Sequence, residues 1–211
     1  MLTLFILGVY YSLRRRHSKA IGNDHVVVII GGTSELGRSL GEELARCHRH
    51  INIVLVDKQE RLGIQIGKSI FLNFRLVRSI EGDASASNVD FVKADISLEH
   101  EAAAAWDSII RKYGHVNTLI INVTREAGRD DDIRSLMETN FHVPVKLTKE
   151  FLQQKLLKAS LKKGEFQVAV ISSIGATIGL DKDMSSCHFA LRGFMQSTRA
   201  CKQLTVTFPR A

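Results

Sequence analysis

Apolar runs rich in β-branched residues alternate along the chain with stretches whose apolar residues have helical spacing. The runs that predict strands cover residues 26–30, 51–56, 89–94, 116–121, 167–171 and 204–208. Helical spacing is found over residues 38–46, 98–113, 131–161 and 186–203. Between residues 58 and 88 the pattern predicts one helix, but it assigns no structure to the apolar and basic stretch IFLNFRLVRSI.

This alternation predicts an α/β fold, a doubly wound parallel sheet with helices on both faces and right-handed crossovers. Ligands of such sheets bind at the carboxyl ends of the strands, near the point where the strand order reverses. The residues that directly follow the predicted strands are the segment 31–37, Asp57, Asp95, Asn122 and Ser173. We therefore expect these residues to form a ligand site.

The chain has 211 residues, of which 45% are hydrophobic and 24% charged, as is typical of one globular domain. Its net charge of +7 comes partly from RRRHSK at residues 14–19 and partly from lysines between residues 155 and 163. The lysine spacing indicates a solvated helix face, and no nucleic-acid motif with interleaved aromatic residues is present. Three cysteines at wide, irregular spacing favour a reducing compartment, with neither a disulfide framework nor a bound metal.

An apolar segment, MLTLFILGVYYSL, precedes the arginines. It is shorter than the ~20 residues of a spanning helix, and its charges follow the apolar run, unlike those of a secretory signal. The pattern predicts a membrane anchor at residues 1–20, with residues 1–19 at the membrane surface and a domain at residues 21–211 facing the cytosol. We expect it at the endoplasmic reticulum or lipid-droplet surface. The alternative is a cytoplasmic protein whose first segment packs on the core.

Gly31 and Gly37 bracket a turn between a predicted strand and a predicted helix. Glycine permits a tight turn and lets a pyrophosphate approach closely, while the helix start offers N–H groups and a partial positive charge. Thr33 and Ser34 add hydroxyl donors, and Leu36 completes the expected contacts of this segment. Because a strand precedes the turn and a second strand ends in an acid, the segment predicts a dinucleotide site.

Asp57 is that acid. A carboxylate at this position accepts hydrogen bonds from both hydroxyls of the adenosine ribose and repels a 2′-phosphate, so it favours NAD(H) over NADP(H). The neighbouring Lys58 softens this preference, which leaves NADP(H) open. The alternative role of Asp57 is that of a turn residue at a strand end.

The stretch VVVIIGGTSELGRSLGEELA resembles the first strand, the TGxxxGxG motif and the following helix of the short-chain dehydrogenase/reductase family. Gly31 and Gly37 take the outer glycine positions, whereas Ile30 replaces the threonine and Glu35 replaces the middle glycine. The resemblance extends from about residue 26 to residue 208. It implies a Rossmann-like fold, a bound NAD(H) or NADP(H), and hydride transfer between nicotinamide and a carbonyl or alcohol.

Four further residues match polar positions of that family. Asp95, in KADIS, matches the acid that contacts adenine, and Asn122, in LIINVT, falls in the NNAG motif. Asn140, in METNFHVPVKLT, matches the asparagine that supports the catalytic lysine through a water, and Ser173, in VAVISSIGATIGL, matches the catalytic serine. Family habit also implies a homodimer formed through the helices at residues 131–161 and 186–203.

The tyrosine and lysine of the family's YxxxK motif are absent. Aligning FALRGF with the helix after that motif puts Met184 at the tyrosine and His188 at the lysine, and the only tyrosines are at positions 10, 11 and 113. A thioether has no transferable proton, and histidine is mostly neutral at pH 7. Substitute acids are His188 itself, Cys187, Asp181 and Asp183. The alternative is that residues 185–188 are only the first turn of a helix, capped by serine.

The last residues, TFPRA, have Arg210 in place of the glycine of the family's PG turn, and the family's substrate loop, last helix and last strand do not follow. The sequence therefore predicts a C-terminally shortened fold with an exposed sheet edge. Three hypotheses stay open: a membrane-associated oxidoreductase, a non-catalytic relative that keeps the fold for binding, and a truncated product without a biochemical role. We expect little or no turnover.

Overall fold

The computed structural model describes residues 25–48, 50–80, 88–123, 132–157, 166–172, 175–179, 182–200 and 205–207. For residues 73–80, 154–157, 175–176, 182–184, 199–200 and 205–207 it describes the backbone only. The anchor predicted at residues 1–20 lies outside the described residues, as do Ser173, Asp181 and Arg210. Within the described ranges, no helix is long and apolar enough to cross a membrane.

Within the part of the chain that the structure describes, six strands form one parallel sheet. They are β1 (His25–Ile30), β2 (Ile51–Asp57), β3 (Asn88–Lys93), β4 (Thr118–Ile121), β5 (Gln167–Val170) and β6 (Thr205–Thr207). Their order across the sheet is β3-β2-β1-β4-β5-β6, and every neighbouring pair is parallel. The chain reverses its direction of growth at β1, which pairs with β2 on one side and β4 on the other. The predicted doubly wound sheet is therefore confirmed, although several strand bounds differ.

Helices pack on both faces of this sheet. They are α1 (Glu35–Cys47), α2 (Glu60–Ile80), α3 (Glu99–Tyr113), α4 (Ile133–Met137), α5 (Val143–Leu157), α6 (Gly175–Ile178) and α7 (Lys182–Ala200), with a π-helical turn at Glu138–His142. The stretch IFLNFRLVRSI, which the pattern left unassigned, forms the second half of α2.

The long helical stretch expected at residues 131–161 is confirmed over residues 133–157, where α4, the π-helical turn that carries Asn140 and α5 follow one another without a break. Apolar spacing does not reveal one extra residue in a single turn. One helix start needs correction. The helix expected to begin at residue 186 begins at Lys182, so Ser185 and Ser186 lie inside α7. The alternative hypothesis that residues 185–188 form a serine-capped first turn is therefore wrong.

The side chains of β1 alternate between two apolar layers. Val27 and Ile29 face the layer formed with α1 and α2, whereas Val26, Val28 and Ile30 face the layer formed with α3, α5 and α7. All five are 3% exposed or less. A strand at the centre of a parallel sheet is buried on both faces, which explains why its sequence is continuously β-branched.

Phe151 fills the centre of the second layer. Its side chain is fully buried on α5 and packs edge-on against the rings of Trp106 and Phe166, at centroid distances of 6.4 and 5.7 Å. Edge-to-face pairs of this kind contribute more than their buried area alone. This cluster joins α3, α5 and the segment before β5 into one packed unit.

His25 and Asn117 join β1 to β4 at the amino end of the sheet. The Oδ1 atom of Asn117 accepts a hydrogen bond from the N–H of Val26 at 2.8 Å, and Nε2 of His25 lies 3.0 Å from Oγ1 of Thr118. Burial, assisted by two neighbouring histidines, lowers the pKa of His25 to about 4. Because ligands bind such sheets at the opposite edge, we assign these contacts to stability.

Candidate functional site

Gly31 ends β1 in a turn that only glycine fits. Its φ is +75°, and an added Cβ would lie 2.0 Å from the carbonyl oxygen of Asn122. Its N–H donates to the carbonyl oxygen of Val56, at the end of β2, at 2.9 Å. The turn therefore lies closely between the ends of β2 and β4, and no side chain separates its backbone from a ligand at this edge.

Two more glycines bring α1 close to the turn. A Cβ on Gly37 would lie 2.3 Å from the carbonyl oxygen of Gly31, and a Cβ on Gly32 would lie 2.8 Å from the Cβ of Leu55. Sequence reasoning singled out Gly31 and Gly37 but not Gly32. The available signal was the position of Gly32 directly after a buried strand, where it must pass over the neighbouring strand β2.

Ser34 caps α1 and connects the turn to β4. Its hydroxyl accepts from the N–H of Gly37 at 3.0 Å and from Nδ2 of Asn122 at 2.7 Å, and it donates to the carbonyl oxygen of Gly31 at 2.8 Å. A hydroxyl has one donor and two acceptor sites, so all three are used. Ser34 was expected to donate to a ligand, but in the structure its proton is directed at Gly31 and it positions the turn.

The first turn of α1 leaves N–H groups available at the carboxyl ends of the strands. The N–H of Gly37 bonds to the Ser34 hydroxyl, and that of Arg38 bonds to the Ser34 carbonyl at 2.9 Å. The N–H groups of Glu35 and Leu36 have no acceptor within the helix, as expected for the first two helical positions. Together with the helix dipole they fit an anionic phosphate group. The exposed carboxylate of Glu35 adds an opposing negative charge.

Asp57 stands beside this turn, at the carboxyl end of β2. Its Oδ2 accepts from the N–H of Thr33 at 3.2 Å, and its Oδ1 accepts from the N–H of Lys58 at 2.8 Å. An ionised carboxylate has about four acceptor sites, so capacity is left for hydroxyl donors. The structure thus brings Thr33 and Asp57 together and fixes the orientation of the carboxylate.

Asp95 follows β3 at the same edge. Its Oδ1 accepts from the hydroxyl and the N–H of Ser97 at 2.6 and 3.1 Å. These bonds, chiefly the one from the hydroxyl, and the nearby ammonium of Lys58 lower the pKa of Asp95. The Nζ atom of Lys58 lies 3.9 Å from Oδ2 of Asp95, so Lys58 is directed towards Asp95 in a weak, exposed pair.

His188 is buried in α7 and faces the end of β5. It is 2% exposed, and its Nδ1 lies 3.0 Å from Oγ of Ser172. Its Nε2 has no hydrogen-bond partner among the residues that the structure describes. Burial lowers the pKa of His188, so the imidazole is neutral at pH 7. Sequence reasoning missed Ser172, although the serine pair after the fifth predicted strand was the available signal.

The remaining predicted catalytic residues are only partly described. Asn140 is 1% exposed on the π-helical turn, which packs against α7. Turns of this type are frequent at functional sites. The structure therefore brings Asn140 and His188 onto elements that contact each other, whereas Ser173 lies outside the described residues.

The candidate substitute acids are also constrained. Cys187 is fully buried, so its thiol does not face a substrate in this arrangement. Met184 and Asp183 have helical backbones in α7, but their side chains lie outside the described part of the chain, as does all of Asp181.

Three features described above define a dinucleotide-binding α/β protein. They are a parallel sheet whose order reverses at β1, a glycine turn that opens a helix, and an acid at the end of the next strand. The model of the short chain dehydrogenase family matches residues 25–205. The chain therefore belongs to the short-chain dehydrogenase/reductase family, which confirms the resemblance drawn from the motifs. Membership supports an oxidoreductase-type fold that binds NAD(P).

Several relatives share this assignment. Dehydrogenase/reductase SDR family member 7B of Danio rerio is 27% identical over 96% of this chain, and that of Mus musculus is 28% identical over 93% of it. A sepiapterin reductase of Chlorobaculum tepidum is 26% identical over 83% of this chain and 70% of its own length. The chain spans 62% and 59% of the length of the first two relatives.

Solved structures show the same fold. An NAD+-bound xylitol dehydrogenase superposes with a TM-score of 0.64 and 16% identity, covering 85% of this chain and 64% of its own. An actinorhodin polyketide ketoreductase with NADPH superposes with a TM-score of 0.69 and 19% identity, covering 87% of this chain and 67% of its own.

Proposed function

We propose that this chain binds a nicotinamide dinucleotide at the turn between β1 and α1 and turns over little or no substrate. One observation carries the second half of the proposal. His188, at the position that matches the family's lysine, is buried and lies in hydrogen-bond contact with Ser172 as a neutral side chain. A neutral imidazole supplies no permanent positive charge to lower the pKa of a neighbouring proton donor.

The described residues fit the phosphate and adenosine parts of the cofactor. The N–H groups of Glu35 and Leu36 would bind the pyrophosphate, and the Asp57 carboxylate would accept from the adenosine ribose. Asp95, one strand further along the same edge, would meet the adenine. Because the Asp57 carboxylate repels a 2′-phosphate, NAD(H) is favoured. Lys58 beside it keeps NADP(H) as the alternative.

The element that the sequence lacks is the family's tyrosine, which acts as the proton donor. When bound, the nicotinamide supplies the hydride acceptor or donor for a carbonyl or an alcohol. The chain itself must orient the substrate oxygen, a role for Ser173, and must move a proton at that oxygen. Met184 takes the position of the family's tyrosine and has no proton to transfer. Loss of a positioned acid lowers the rate by about 10²–10⁴-fold.

A working oxidoreductase is the second candidate, and the Nε2 atom of His188 favours it. If Nδ1 accepts from the Ser172 hydroxyl, the proton of the neutral ring resides on Nε2. That N–H has no acceptor among the described residues, so it would be available to a substrate oxygen that reached it. Under this candidate, Asn140 on the neighbouring π-helical turn would support the position of His188.

Binding and turnover are tested separately on the purified full chain. We expect saturable binding in titrations read by Trp106 fluorescence, tighter for NADH than for NADPH. Gly37→Leu should abolish binding, and Gly193→Leu, at an open and exposed position of α7, is the matched control. Asp57→Ala should weaken NADH by about tenfold and NADPH by less. If neither dinucleotide binds, the proposal fails.

Turnover is then assayed with NADH and a panel of ketones. We expect background rates that Ser173→Ala and His188→Ala leave unchanged. A rate comparable to those of active relatives would overturn the proposal. If such a rate disappeared in both variants, the second candidate would take its place.

Membrane attachment through residues 1–19 and pairing of two copies complete the proposal. The apolar segment followed by RRRHSK supports an anchor that leaves residues 21–211 facing the cytosol, at the endoplasmic reticulum or lipid-droplet surface. Cell fractionation tests it: Leu4→Glu with Ile6→Glu should release the full chain into the supernatant. Unchanged retention of the variant would contradict the anchor, and a parent chain already in the supernatant would favour the cytoplasmic alternative in which the segment packs on the core. Light scattering of the purified chain tests the homodimer.

A further inference from the structure

The outer face of α2 is apolar and basic at once. Leu62, Ile64 and Leu72 are 39%, 42% and 63% exposed, and Arg61 and Lys68 are exposed on the same helix. Single exposed apolar residues are common on protein surfaces and need no explanation. Three large exposed apolar residues on one helix, interspersed with cations, do need an explanation.

The inner face of α2 is already occupied by the core. Gly63, Ile66, Gly67 and Ile70 are buried against the sheet. A Cβ on Gly63 would lie 1.9 Å from the ring of Phe91 on β3. This close contact fixes the rotation of the helix on the sheet, and therefore determines which residues point outward.

Ile64, Lys68 and Leu72 follow each other at four-residue spacing, so they form one line along the outward side of the helix. Arg61 lies two turns before Lys68 on the same side. We call these four residues the α2 stripe. Leu72, at 63% exposed, is its most solvated apolar member.

After its first residue, Glu60, α2 contains charged residues of one sign only. Residues 61–80 contain four basic residues, at positions 61, 68, 75 and 78, and no acidic residue. Glu60, directly before them, is paired with Lys93 at 3.2 Å. An acidic protein surface would complement the cations but not the exposed leucines and isoleucine. An anionic bilayer surface complements both.

We propose that the α2 stripe lies on the surface of an anionic lipid bilayer. Leu72 and Ile64 reach the boundary between headgroups and acyl chains, and Lys68 and Arg61 contact lipid phosphates. Because its inner face packs on the sheet, α2 lies in the plane of the interface, as amphipathic helices of this composition do. Each basic residue near such a surface raises the affinity about fivefold.

A position-specific reporter tests this in the full chain, whatever residues 1–19 contribute. Leu72→Trp is mixed with phosphatidylcholine vesicles that contain brominated phosphatidylserine. We expect its emission to shift to the blue and to be quenched. Leu98→Trp, at another apolar residue that is 44% exposed but lies outside α2, is the matched control and should not be quenched. Sedimentation of Leu72→Trp with the vesicles without quenching beyond that of the control would overturn the proposal.

Charge reversal gives a second, independent readout. Lys68→Glu should weaken vesicle binding about 25-fold, because one cation is lost and one anion is gained. Lys149→Glu, on the exposed side of α5, changes the net charge equally and should have little effect. Equal losses in both variants would mean a non-specific charge effect and would overturn the proposal. If Leu72→Glu altered the oligomeric state but not vesicle binding, the stripe would instead be an interface between copies.

Discussion

The Oγ atom of Ser172 and the Nδ1 atom of His188 lie 3.0 Å apart, across the junction between the end of β5 and the middle of α7. Under the proposed function, this contact gives the imidazole a structural role at the position that the resemblance assigns to the family's lysine. Burial is consistent with a structural role, because it lowers the pKa of His188 and keeps the ring neutral.

If the Ser172–His188 contact is structural, its two partners should depend on each other. Ser172→Ala leaves a buried nitrogen without its partner and should lower the free energy of unfolding by about 1–3 kcal/mol. Ser172→Ala combined with His188→Leu removes both polar groups and should recover most of that loss. Urea unfolding of the two single variants and the double variant measures the coupling. Additive losses would contradict the assignment. Ser39→Ala, on the outer side of α1, is the control and should change stability by less than about 0.5 kcal/mol.

Acid should destabilise the fold through His25. Burial first, and then the charges of His48 and His115, lower its folded-state pKa from 6.5 to about 4. Between these values the unfolded chain binds more protons than the folded chain. The free energy of unfolding is therefore highest above pH 6.5 and falls as the pH drops to about 4, by on the order of 3 kcal/mol. Denaturant melts across this range measure the slope.

His25→Leu should flatten that dependence, leaving the contribution of the same sign from His188. The control is His142→Gln, at an exposed histidine on the π-helical turn, which leaves His25 and its neighbours in place. Parallel curves for His25→Leu and the parent protein would show that His25 does not carry the effect.

Two helical glycines should respond to alanine with opposite signs. At Gly37 a Cβ would lie 2.3 Å from a backbone oxygen, so Gly37→Ala should lower the free energy of unfolding by about 3 kcal/mol and loosen the turn. At Gly193 an added Cβ would meet no packing neighbour within 4 Å among the described residues, so Gly193→Ala should raise it by about 1 kcal/mol through helix propensity. Thermal unfolding separates them, and a shift of the same sign in both would refute the packing argument.

Truncation of Phe151 should be costly. Phe151→Ala removes a fully buried ring from the cluster with Trp106 and Phe166 and should lower the free energy of unfolding by about 3–5 kcal/mol. Trp106 emission should shift to the red as its edge contact is lost. Phe189→Ala, at a ring that is 46% exposed on α7, should change stability by less than about 0.5 kcal/mol. Comparable losses of stability in Phe151→Ala and Phe189→Ala would contradict the placement of Phe151 in the core.

The sheet was predictable because strands buried on both faces have continuous apolar sequences, as β1 does, and because each of several strands ends at a polar residue. The glycine turn was predictable because its glycines directly follow a continuous apolar strand in the sequence and precede a helix. The π-helical turn around Asn140 was not, since one extra residue leaves the apolar spacing on either side nearly unchanged.

The Ser172–His188 contact was out of reach for a different reason. It joins residues 16 positions apart whose pairing depends on how α7 sits on β5, and no local pattern carries that information. The second half of α2 was also left unassigned, because the stretch IFLNFRLVRSI mixes apolar and basic residues.

The contact between Val26 and Asn117 joins positions 91 residues apart in the sequence. During synthesis, β1 and β2 therefore emerge from the ribosome well before β4 exists. Until β4 arrives, one full edge of the most apolar strand stays unpaired, and pairing over such a span is slow. A nascent chain halted before Asn117 would expose that unpaired edge of β1 to strands of other chains, so we expect it to be prone to aggregation at this stage of synthesis.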